Sequence, residues 1–179
     1  MSSFVTFLGG VDEIGANSCF LNLEGTGVLI DAGLHPRLRK ERTFPIIYPI
    51  QNEETDYALL THAHTDHVGG LPYMLKQFPH LKLIATRATR DILEVMLQNT
   101  GKLLRLNPPE DILSSDLDYY KPGNINEITA MVEAVVYNTP YEIQGRRGDV
   151  PIKTSFMNAG HILGSAGILL NINGKNIFH

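Results

Sequence analysis

Several features that would define a class of protein are scarce in this sequence. Its 179 residues include one cysteine, Cys19, so an internal disulfide cannot form and disulfide cross-linking is excluded as a source of stability. No apolar run approaches the roughly 20 residues that span a bilayer, and the N-terminal residues lack the positive charge of a secretory signal. We therefore expect a cytoplasmic protein without a membrane segment.

Positive charge is not in surplus either. The chain has 15 Lys and Arg against 19 Asp and Glu, a net charge of −4, whereas nucleic-acid-binding domains are usually basic. This balance counts only mildly against a nucleic-acid partner, because bound divalent cations would add positive charge that a count of side chains omits. What the chain does have is a hydrophobic content of 43%, which is enough to fill the core of one ordinary domain.

Both ends of the chain are predicted to be β-structure. Near the N-terminus, Glu24-Gly25-Thr26-Gly27 interrupts two alternating apolar segments as the turn of a hairpin does. Asn173-Gly174 gives the same signal near the C-terminus, and the strand after it runs to the last residue, His179. A strand that ends with the chain leads us to expect that these residues are part of a longer protein.

The middle of the chain reads as strands followed by helices. Residues 56–61 predict a buried strand, and the apolar spacing of 71–78 predicts a helix that begins near 68–70. A second strand is predicted over 81–86, and a helix from about Thr89.

A third helix is predicted over 125–136, where apolar residues are spaced for one buried stripe. The proline-rich residues 107–123 receive no role.

The stretch richest in potential metal ligands is LLTHAHTDHVGGLPYML, residues 59–75. Because residues i and i+2 of an extended segment point the same way, His62 and His64 can bind one metal ion together. Asp66 and His67 come after the chain has begun to turn toward the helix. Their side chains therefore face a different position a few ångströms away, which suits a second metal ion. Neutral imidazole and carboxylate favour zinc-type ions, and two-metal hydrolases hold their ions about 3.5–4 Å apart. We therefore predict a catalytic loop at a helix N-terminus.

Two residues elsewhere complete this prediction. His161 lies among small residues in MNAGHILGSAGILL. A single histidine of this kind is more often a packing or surface residue. Together with His62 and His64, however, it would make a three-histidine zinc site with an open fourth position. Asp31 ends an apolar strand, where it either caps a turn or accepts the second N–H of a metal-bound histidine. We favour the second role for Asp31.

Three further histidines carry weaker signals. His35 could approach the rim of the site or sit in a turn before Pro36. His80 lies in a polar connection and is expected to be solvated, and His179 is expected to be an ordinary strand residue.

Four motifs, TFLGGVDEIGANSCFLNLE, LIDAGLHP, LLTHAHTDHVGGLPYML and NAGHILGSAGILL, resemble those of the metallo-β-lactamase superfamily. More narrowly they are similar to its β-CASP branch, the RNA-processing nucleases related to the cleavage-and-polyadenylation endonuclease. The resemblance covers nearly the whole chain. It implies an α/β fold, the αββα sandwich, with the site at one edge of two sheets, and it makes residues 1–179 the N-terminal portion of the metallo-β-lactamase domain.

The resemblance also implies roles for individual residues. His62, His64 and His161 would bind one zinc ion, Asp66 and His67 the other, and Asp31 would be the first-motif aspartate. The family's bridging aspartate, a further metal-binding histidine and the β-CASP domain with its proposed general acid would lie beyond residue 179. We therefore expect this chain alone to bind some zinc without cleaving RNA.

Three functions remain open. The first is a zinc-dependent phosphodiesterase that cleaves RNA, which would be single-stranded, by two-metal activation of water, with a homodimer or other processing subunits as partners through the missing regions. The second is a small-molecule hydrolase of thioesters or lactones, for which residues 37–56 are the only candidate pocket insertion, although Arg37, Arg39, Lys40 and Arg42 favour phosphate there. The third is a catalytically silent scaffold subunit.

Overall fold

A computed structural model of the protein describes residues 3–11, 14–35, 43–110 and 112–179. Four basic residues are predicted to favour a phosphate-containing substrate over a lactone. They lie outside these ranges: Arg37, Arg39, Lys40 and Arg42.

The first sheet has six strands in the order β1-β2-β3-β4-β5-β6. Strands β1 to β3 pair antiparallel and β3 to β6 pair parallel. The predicted first hairpin is confirmed, but its turn is shorter than the four residues the sequence indicated. Glu24 and Gly25, with φ of 50° and 89°, form a two-residue turn, and Thr26 and Gly27 already pair with the preceding strand. The strands are β1 (Phe4–Gly9), β2 (Ser18–Leu23), β3 (Thr26–Ile30), β4 (Tyr57–Leu60), β5 (Lys82–Thr86) and β6 (Val132–Val135).

The second sheet is antiparallel, with its four strands in the order β10-β9-β8-β7. Alternate residues of β9 are buried, so one face of this sheet packs against the core. Asn173 and Gly174, with φ of 50° and 75°, form the predicted second hairpin turn. The strands are β7 (Tyr141–Ile143), β8 (Ile152–Asn158), β9 (Ala166–Ile172) and β10 (Lys175–Phe178).

The helices largely follow the predicted pattern. Gly70 is the N-cap of α2, as the proline in its first turn predicted, and α3 begins at Arg87, two residues before the expected position. The helix predicted over 125–136 is wrong at its C-terminal end, because residues 132–135 pair with β5 as β6. The helices are α1 (Thr65–Val68), α2 (Leu71–Gln77), α3 (Arg87–Leu106) and α4 (Pro122–Met131), with short 3-10 turns at Tyr48–Ile50 and Leu117–Tyr120.

The layers follow from the buried faces of the first sheet. In β4, Ala58 and Leu60 pack with the helices on one side, whereas Tyr57 and Leu59 pack toward the second sheet. Both faces of these central strands are therefore apolar, as parallel strands require. The predicted α/β sandwich is confirmed, and in the described ranges its helices cover the first sheet.

Among the described residues, no helix combines the length and the apolar character that crossing a bilayer requires.

Candidate metal centre

The candidate site lies where the carboxyl ends of the central parallel strands meet. Asp31 follows β3 and His62 follows shortly after β4, so parallel pairing brings both residues to the same edge of the sheet. His161 comes from the second sheet, in the loop between β8 and β9. The N–H of Ala166 donates to the carbonyl of Thr61 at 2.8 Å and ties this loop to the residue before His62. The two sheets therefore meet at the site.

Three imidazoles converge here. Nε2 of His62 lies 3.1 Å from Nδ1 of His64, and Nε2 of His161 lies 3.3 Å from the same Nδ1. One nitrogen from each ring lies within 4.8 Å of the others. A tetrahedral zinc ion with Zn–N bonds of about 2.0–2.1 Å separates its nitrogen ligands by about 3.3 Å, which the two distances to Nδ1 of His64 match.

The protonation of His62 also suits a metal ligand. Burial, followed by the charge of His67, lowers the pKa of His62 to about 4. His62 is therefore neutral near pH 7 and keeps a lone pair on Nε2, the form in which histidine binds metals.

Asp66 and His67 form a second pair beside the three imidazoles. Oδ2 of Asp66 lies 3.7 Å from Nε2 of His67, and the rings of His62 and His67 lie 4.0 Å apart between centroids. The side-chain amide of Asn17 is placed between the pair, with Nδ2 3.2 Å from both Oδ2 and Nε2. An ion held by Asp66 and His67 would replace these contacts of Asn17, a residue that the sequence analysis did not identify.

Asp31 orients His67 directly. Oδ2 of Asp31, which is 1% exposed, lies 2.7 Å from Nδ1 of His67. A carboxylate only accepts hydrogen bonds, so this contact places the ring proton on Nδ1 and leaves a lone pair on Nε2, which the amide of Asn17 now contacts. Burial lowers the pKa of His67, but the hydrogen bond and charge of Asp31, with the charge of Asp66, raise it above the ordinary value overall.

Thr61 connects the same carboxylate to the three-histidine group. Its backbone N–H donates to Oδ1 of Asp31 at 2.8 Å, and its hydroxyl donates to Oδ2 at 2.6 Å. The hydroxyl oxygen also lies 3.0 Å from Nδ1 of His62. Since its own hydrogen is used on Asp31, Thr61 accepts the N–H of His62, which leaves Nε2 of His62 as the free nitrogen. The sequence analysis missed Thr61, although its position between a buried strand and the first histidine was a signal.

The ligand loop is partly helical, which corrects the prediction of a plain loop. Asp66 and His67 lie in the single turn α1, which His64 begins by accepting from the N–H groups of His67 and Val68 at 2.9 Å. So short a helix has few internal bonds, and its carbonyls need partners from elsewhere. The carbonyls of Thr65, Asp66 and His67 accept from the backbone N–H groups of Leu34, Asn17 and Ala32 at 3.0, 2.9 and 2.7 Å.

Two residues of the segment 107–123, to which the sequence assigned no role, contact this turn and the helix that follows it. Tyr120 is fully buried, and its hydroxyl donates to the carbonyl of Gly69, the C-cap of α1, at 2.7 Å. Lys76 donates to Asp116 at 2.6 Å and joins the same segment to α2. Tyr120 therefore supports the helical turn that carries Asp66 and His67.

The remaining histidines are placed as follows. His35 is buried, and its N–H donates to the carbonyl of Thr43 at 2.9 Å. His80 is exposed, as expected. His179 is exposed directly after β10 and exchanges backbone hydrogen bonds of 2.9 and 3.0 Å with Ile168, as a strand residue does, and it also lines a cleft of about 120 Å³ together with Asp31 and His67.

Comparison with known proteins agrees with this geometry. The family described as the metallo-beta-lactamase superfamily matches residues 11–125, which is more than half of the 179 residues. The chain therefore belongs to the metallo-β-lactamase superfamily. Family membership and the histidine cluster together imply a divalent metal ion at the site.

Curated relatives match almost the whole chain. The cleavage and polyadenylation specificity factor subunit 3-I of Arabidopsis thaliana is 29% identical over 176 residues, covering 98% of this chain and 24% of that protein. The endoribonuclease ysh-1 of Neurospora crassa is 29% identical over 174 residues, covering 96% of this chain and 19% of that protein. The chain thus spans a quarter or less of these relatives, which are of the RNA-processing class that the motifs predicted.

Solved structures show the same fold. A metallo-β-lactamase of Cronobacter sakazakii with a HARLDQ motif covers 100% of this chain and 64% of its own, with a TM-score of 0.57 and 19% identity. MEM-A1, a subclass B3 metallo-β-lactamase from a soil metagenome library, covers 99% of this chain and 61% of its own, with a TM-score of 0.54 and 16% identity. At these identities the likeness concerns the fold alone.

Proposed function

We propose that this chain is the N-terminal portion of the metallo-β-lactamase domain of a zinc-dependent ribonuclease, with single-stranded RNA as its substrate. The observation that carries the proposal is the convergence of His62, His64 and His161 beside Asp66 and His67. The names of the relatives support it, because one is called an endoribonuclease and another a cleavage and polyadenylation factor subunit.

Zinc is the ion that this donor set favours. His62, His64 and His161 offer three imidazole nitrogens within 4.8 Å of one another, two of the distances being 3.1 and 3.3 Å. Three histidines with a fourth position open are the pattern of catalytic zinc. Asp66 and His67 would hold a second ion after the amide of Asn17 moves aside. When bound, the two ions would polarise the phosphoryl group and lower the pKa of water.

The protein's own groups prepare this site before any metal arrives. Asp31 holds the ring proton of His67 on Nδ1, and Thr61 holds that of His62 on Nδ1. Nε2 of each ring therefore keeps a lone pair with which it can bind a metal ion. Because one buried carboxylate supports both rings, the two halves of the site are fixed relative to each other. A fixed separation is what in-line displacement at phosphorus demands.

A small-molecule hydrolase is the second candidate, and one observation favours it. Ile46 and Tyr48, in the described part of the segment considered for a lactone pocket, are 48% and 78% exposed. Exposed apolar side chains of this kind can line a pocket for an apolar substrate.

Labelled single-stranded RNA distinguishes these functions. We expect the product of the complete gene to cleave it in the presence of zinc, and residues 1–179 alone to bind zinc without cleavage. Two variants serve as matched controls. The His62→Ala/His64→Ala double variant should lose cleavage of the RNA. His80→Ala replaces an exposed histidine that is not among the proposed ligands, and it should retain cleavage.

Each alternative predicts a different outcome. Hydrolysis of a thioester or lactone by the complete protein, with intact RNA, would replace the proposal by the small-molecule hydrolase. Zinc-dependent cleavage by residues 1–179 alone would place the essential chemistry within this portion. No turnover of either substrate by a zinc-loaded complete protein would identify a silent scaffold.

A further inference from the structure

His161 is the most exposed of the three converging histidines and the only one from the second sheet. His62 and His67 are oriented by hydrogen bonds that their Nδ1–H groups donate, to the hydroxyl oxygen of Thr61 and to the carboxylate of Asp31. In the part of the chain that the structure describes, Nδ1 of His161 has no such carboxylate or hydroxyl partner. The position of His161 therefore depends on how the backbone of its loop is held.

Two threonines at the start of α3 hold that loop. The hydroxyl of Thr86 donates to the carbonyl of Gly164 at 2.7 Å, and the hydroxyl of Thr89 donates to the same oxygen at 2.8 Å. Thr86 and Thr89 are 2% and 0% exposed, so water does not compete for these bonds. A carbonyl oxygen has two lone pairs, and both are used here by one helix.

The close approach of the loop to α3 requires glycine at position 164. Gly164 has φ of +90°, in the left-handed region, and a Cβ there would lie 2.4 Å from the backbone nitrogen of Thr89. The loop is therefore seated directly on the first turn of the helix.

Contacts within the loop carry this constraint to His161. The hydroxyl oxygen of Ser165, which is 1% exposed, accepts from the N–H groups of His161 and Ile162 at 3.0 and 3.2 Å. The N–H of Ser165 donates back to the carbonyl of Ile162 at 3.0 Å. The residues from 161 to 165 thus form a closed turn, and a shift of Gly164 would carry the backbone of His161 with it.

We propose that Thr86 and Thr89 are positioning residues that set the affinity of the three-histidine metal site by fixing His161 through the carbonyl of Gly164. This inference rests on the proposed metal site. Without the two hydroxyls, the buried carbonyl of Gly164 loses both hydrogen bonds and the loop is free to move away from the helix. His161 would then leave the distance from His64 at which a single ion can bind both rings.

Thr89→Val is the main test, since valine keeps the branched shape and replaces by a methyl group the hydroxyl that bonds Gly164 and also contacts the hydroxyl of Thr86 at 3.1 Å. Thr86 also caps α3 by accepting from the N–H of Thr89 at 3.2 Å, so its substitution has a second effect. We expect Thr89→Val to weaken zinc binding by about 10–100-fold, the usual effect of losing support behind a ligand, and Thr89→Ser to restore it. The measurement is titration of the metal-free protein with zinc against a competing chelator, repeated with Co²⁺, whose absorption spectrum reports the ligand geometry.

Thr100→Val is the matched control. Thr100 lies on the same helix, is 1% exposed, and its hydroxyl donates to the carbonyl of Met96, within α3. It should lower stability without changing zinc affinity or the Co²⁺ spectrum. Equal zinc affinity in wild type and Thr89→Val, or an equal loss in Thr100→Val, would overturn the positioning role.

His161→Ala separates this inference from the proposed function. If His161→Ala weakens zinc binding and Thr89→Val does not, the metal site stands and the positioning role falls. If wild type and His161→Ala bind zinc equally, the three-histidine site is wrong, and the positioning role falls with it.

Discussion

Asp31 and Thr61 are joined by two hydrogen bonds at the ends of adjacent parallel strands. The backbone N–H of Thr61 donates to Oδ1 of Asp31 at 2.8 Å, and its hydroxyl donates to Oδ2 at 2.6 Å. This pair fixes the carboxylate in one orientation, from which it reaches His67 at 2.7 Å. It also leaves the threonine oxygen to accept the N–H of His62. A single neutral side chain thus connects the two groups of proposed ligands.

Thr61→Val tests this connection. Loss of the hydroxyl removes a donor to Asp31 and the acceptor of His62, so we expect zinc affinity to fall by about 10–100-fold. Thr61→Ser, which keeps the hydroxyl, should remain within a few-fold of wild type. Zinc affinities measured by chelator competition that do not differ between the valine and serine variants would remove Thr61 from the site.

Asp31→Asn should preserve the fold and weaken the metal site. Asp31 has φ of 59°, a conformation that asparagine also tolerates, so the backbone is undisturbed. An amide cannot accept at both positions, and either Thr61 or His67 then faces a donor. The expected loss of zinc affinity is about 10–100-fold. Asp149→Asn, at an exposed position, is the control, and an equal zinc affinity in all three proteins would reduce Asp31 to a turn residue.

His64→Ala should lower bound zinc and zinc-dependent thermal stability together. Nδ1 of His64 is the atom that both His62 and His161 approach, at 3.1 and 3.3 Å. An ion that binds the native state stabilises it, so loss of the site also removes the rise in melting temperature that zinc produces. Metal analysis and thermal melts of wild type, His64→Ala and the exposed His80→Ala decide the matter, and equal zinc content in all three contradicts the assignment.

Tyr120→Phe should destabilise the protein by about 1–3 kcal/mol, because the buried carbonyl of Gly69 loses its hydrogen bond while the ring still fills its place. Urea unfolding of the metal-free protein measures this free energy. Tyr48→Phe removes the hydroxyl of a tyrosine that is 78% exposed and should have no effect. If the two variants unfold at the same urea concentration, Tyr120 contributes packing alone.

The metal-free protein should lose stability as the pH falls from about 6.5 to 4. The pKa of His62 is about 4 in the folded protein against an ordinary 6.5, so within this window the unfolded chain binds a proton that the folded protein does not. The free energy of unfolding therefore decreases as the pH falls through this window, by roughly 3 kcal/mol. His67 acts in the opposite sense, because its raised pKa favours the folded state at low pH and this contribution is lost as the pH rises.

A comparison of variants separates the contribution of His62 to this pH dependence from that of His67. His62→Gln removes the first contribution only, so urea unfolding in a chelator at pH 7 and at pH 4.5 should show a smaller difference than in wild type. An unchanged difference would mean that His62 titrates normally in the folded protein.

Local sequence predicted the parts of this fold that local physics determines. Both hairpins were predicted correctly, because each contains a residue pair suited to the positive φ that a two-residue turn needs, although the first turn excludes Thr26 and Gly27. The grouping of His62 and His64 followed from strand geometry in the same way. Residues 132–135 were assigned to a helix instead because their pairing with β5, some fifty positions earlier, decides their conformation.

The supporting contacts of the site could not be predicted for the same reason. Asn17 meets Asp66 across 49 positions, and Tyr120 meets Gly69 across 51. Neither pair has a spacing that marks it in the sequence. Thr61 is the exception, since it adjoins the histidines directly, and a rule that examines the residue between a buried strand and its first ligand would have found it.

The separation between His64 and His161 has a consequence for how the protein is assembled. These residues are 97 positions apart, whereas His62, His64, Asp66 and His67 follow one another closely. At a synthesis rate of about 5–20 residues per second, the nearby side chains leave the ribosome roughly 5–20 seconds before His161 does. An early ion would meet only this first group, and β8 and β9 would complete its coordination when they dock. Ion capture and docking of the second sheet would then be successive stages of biosynthesis.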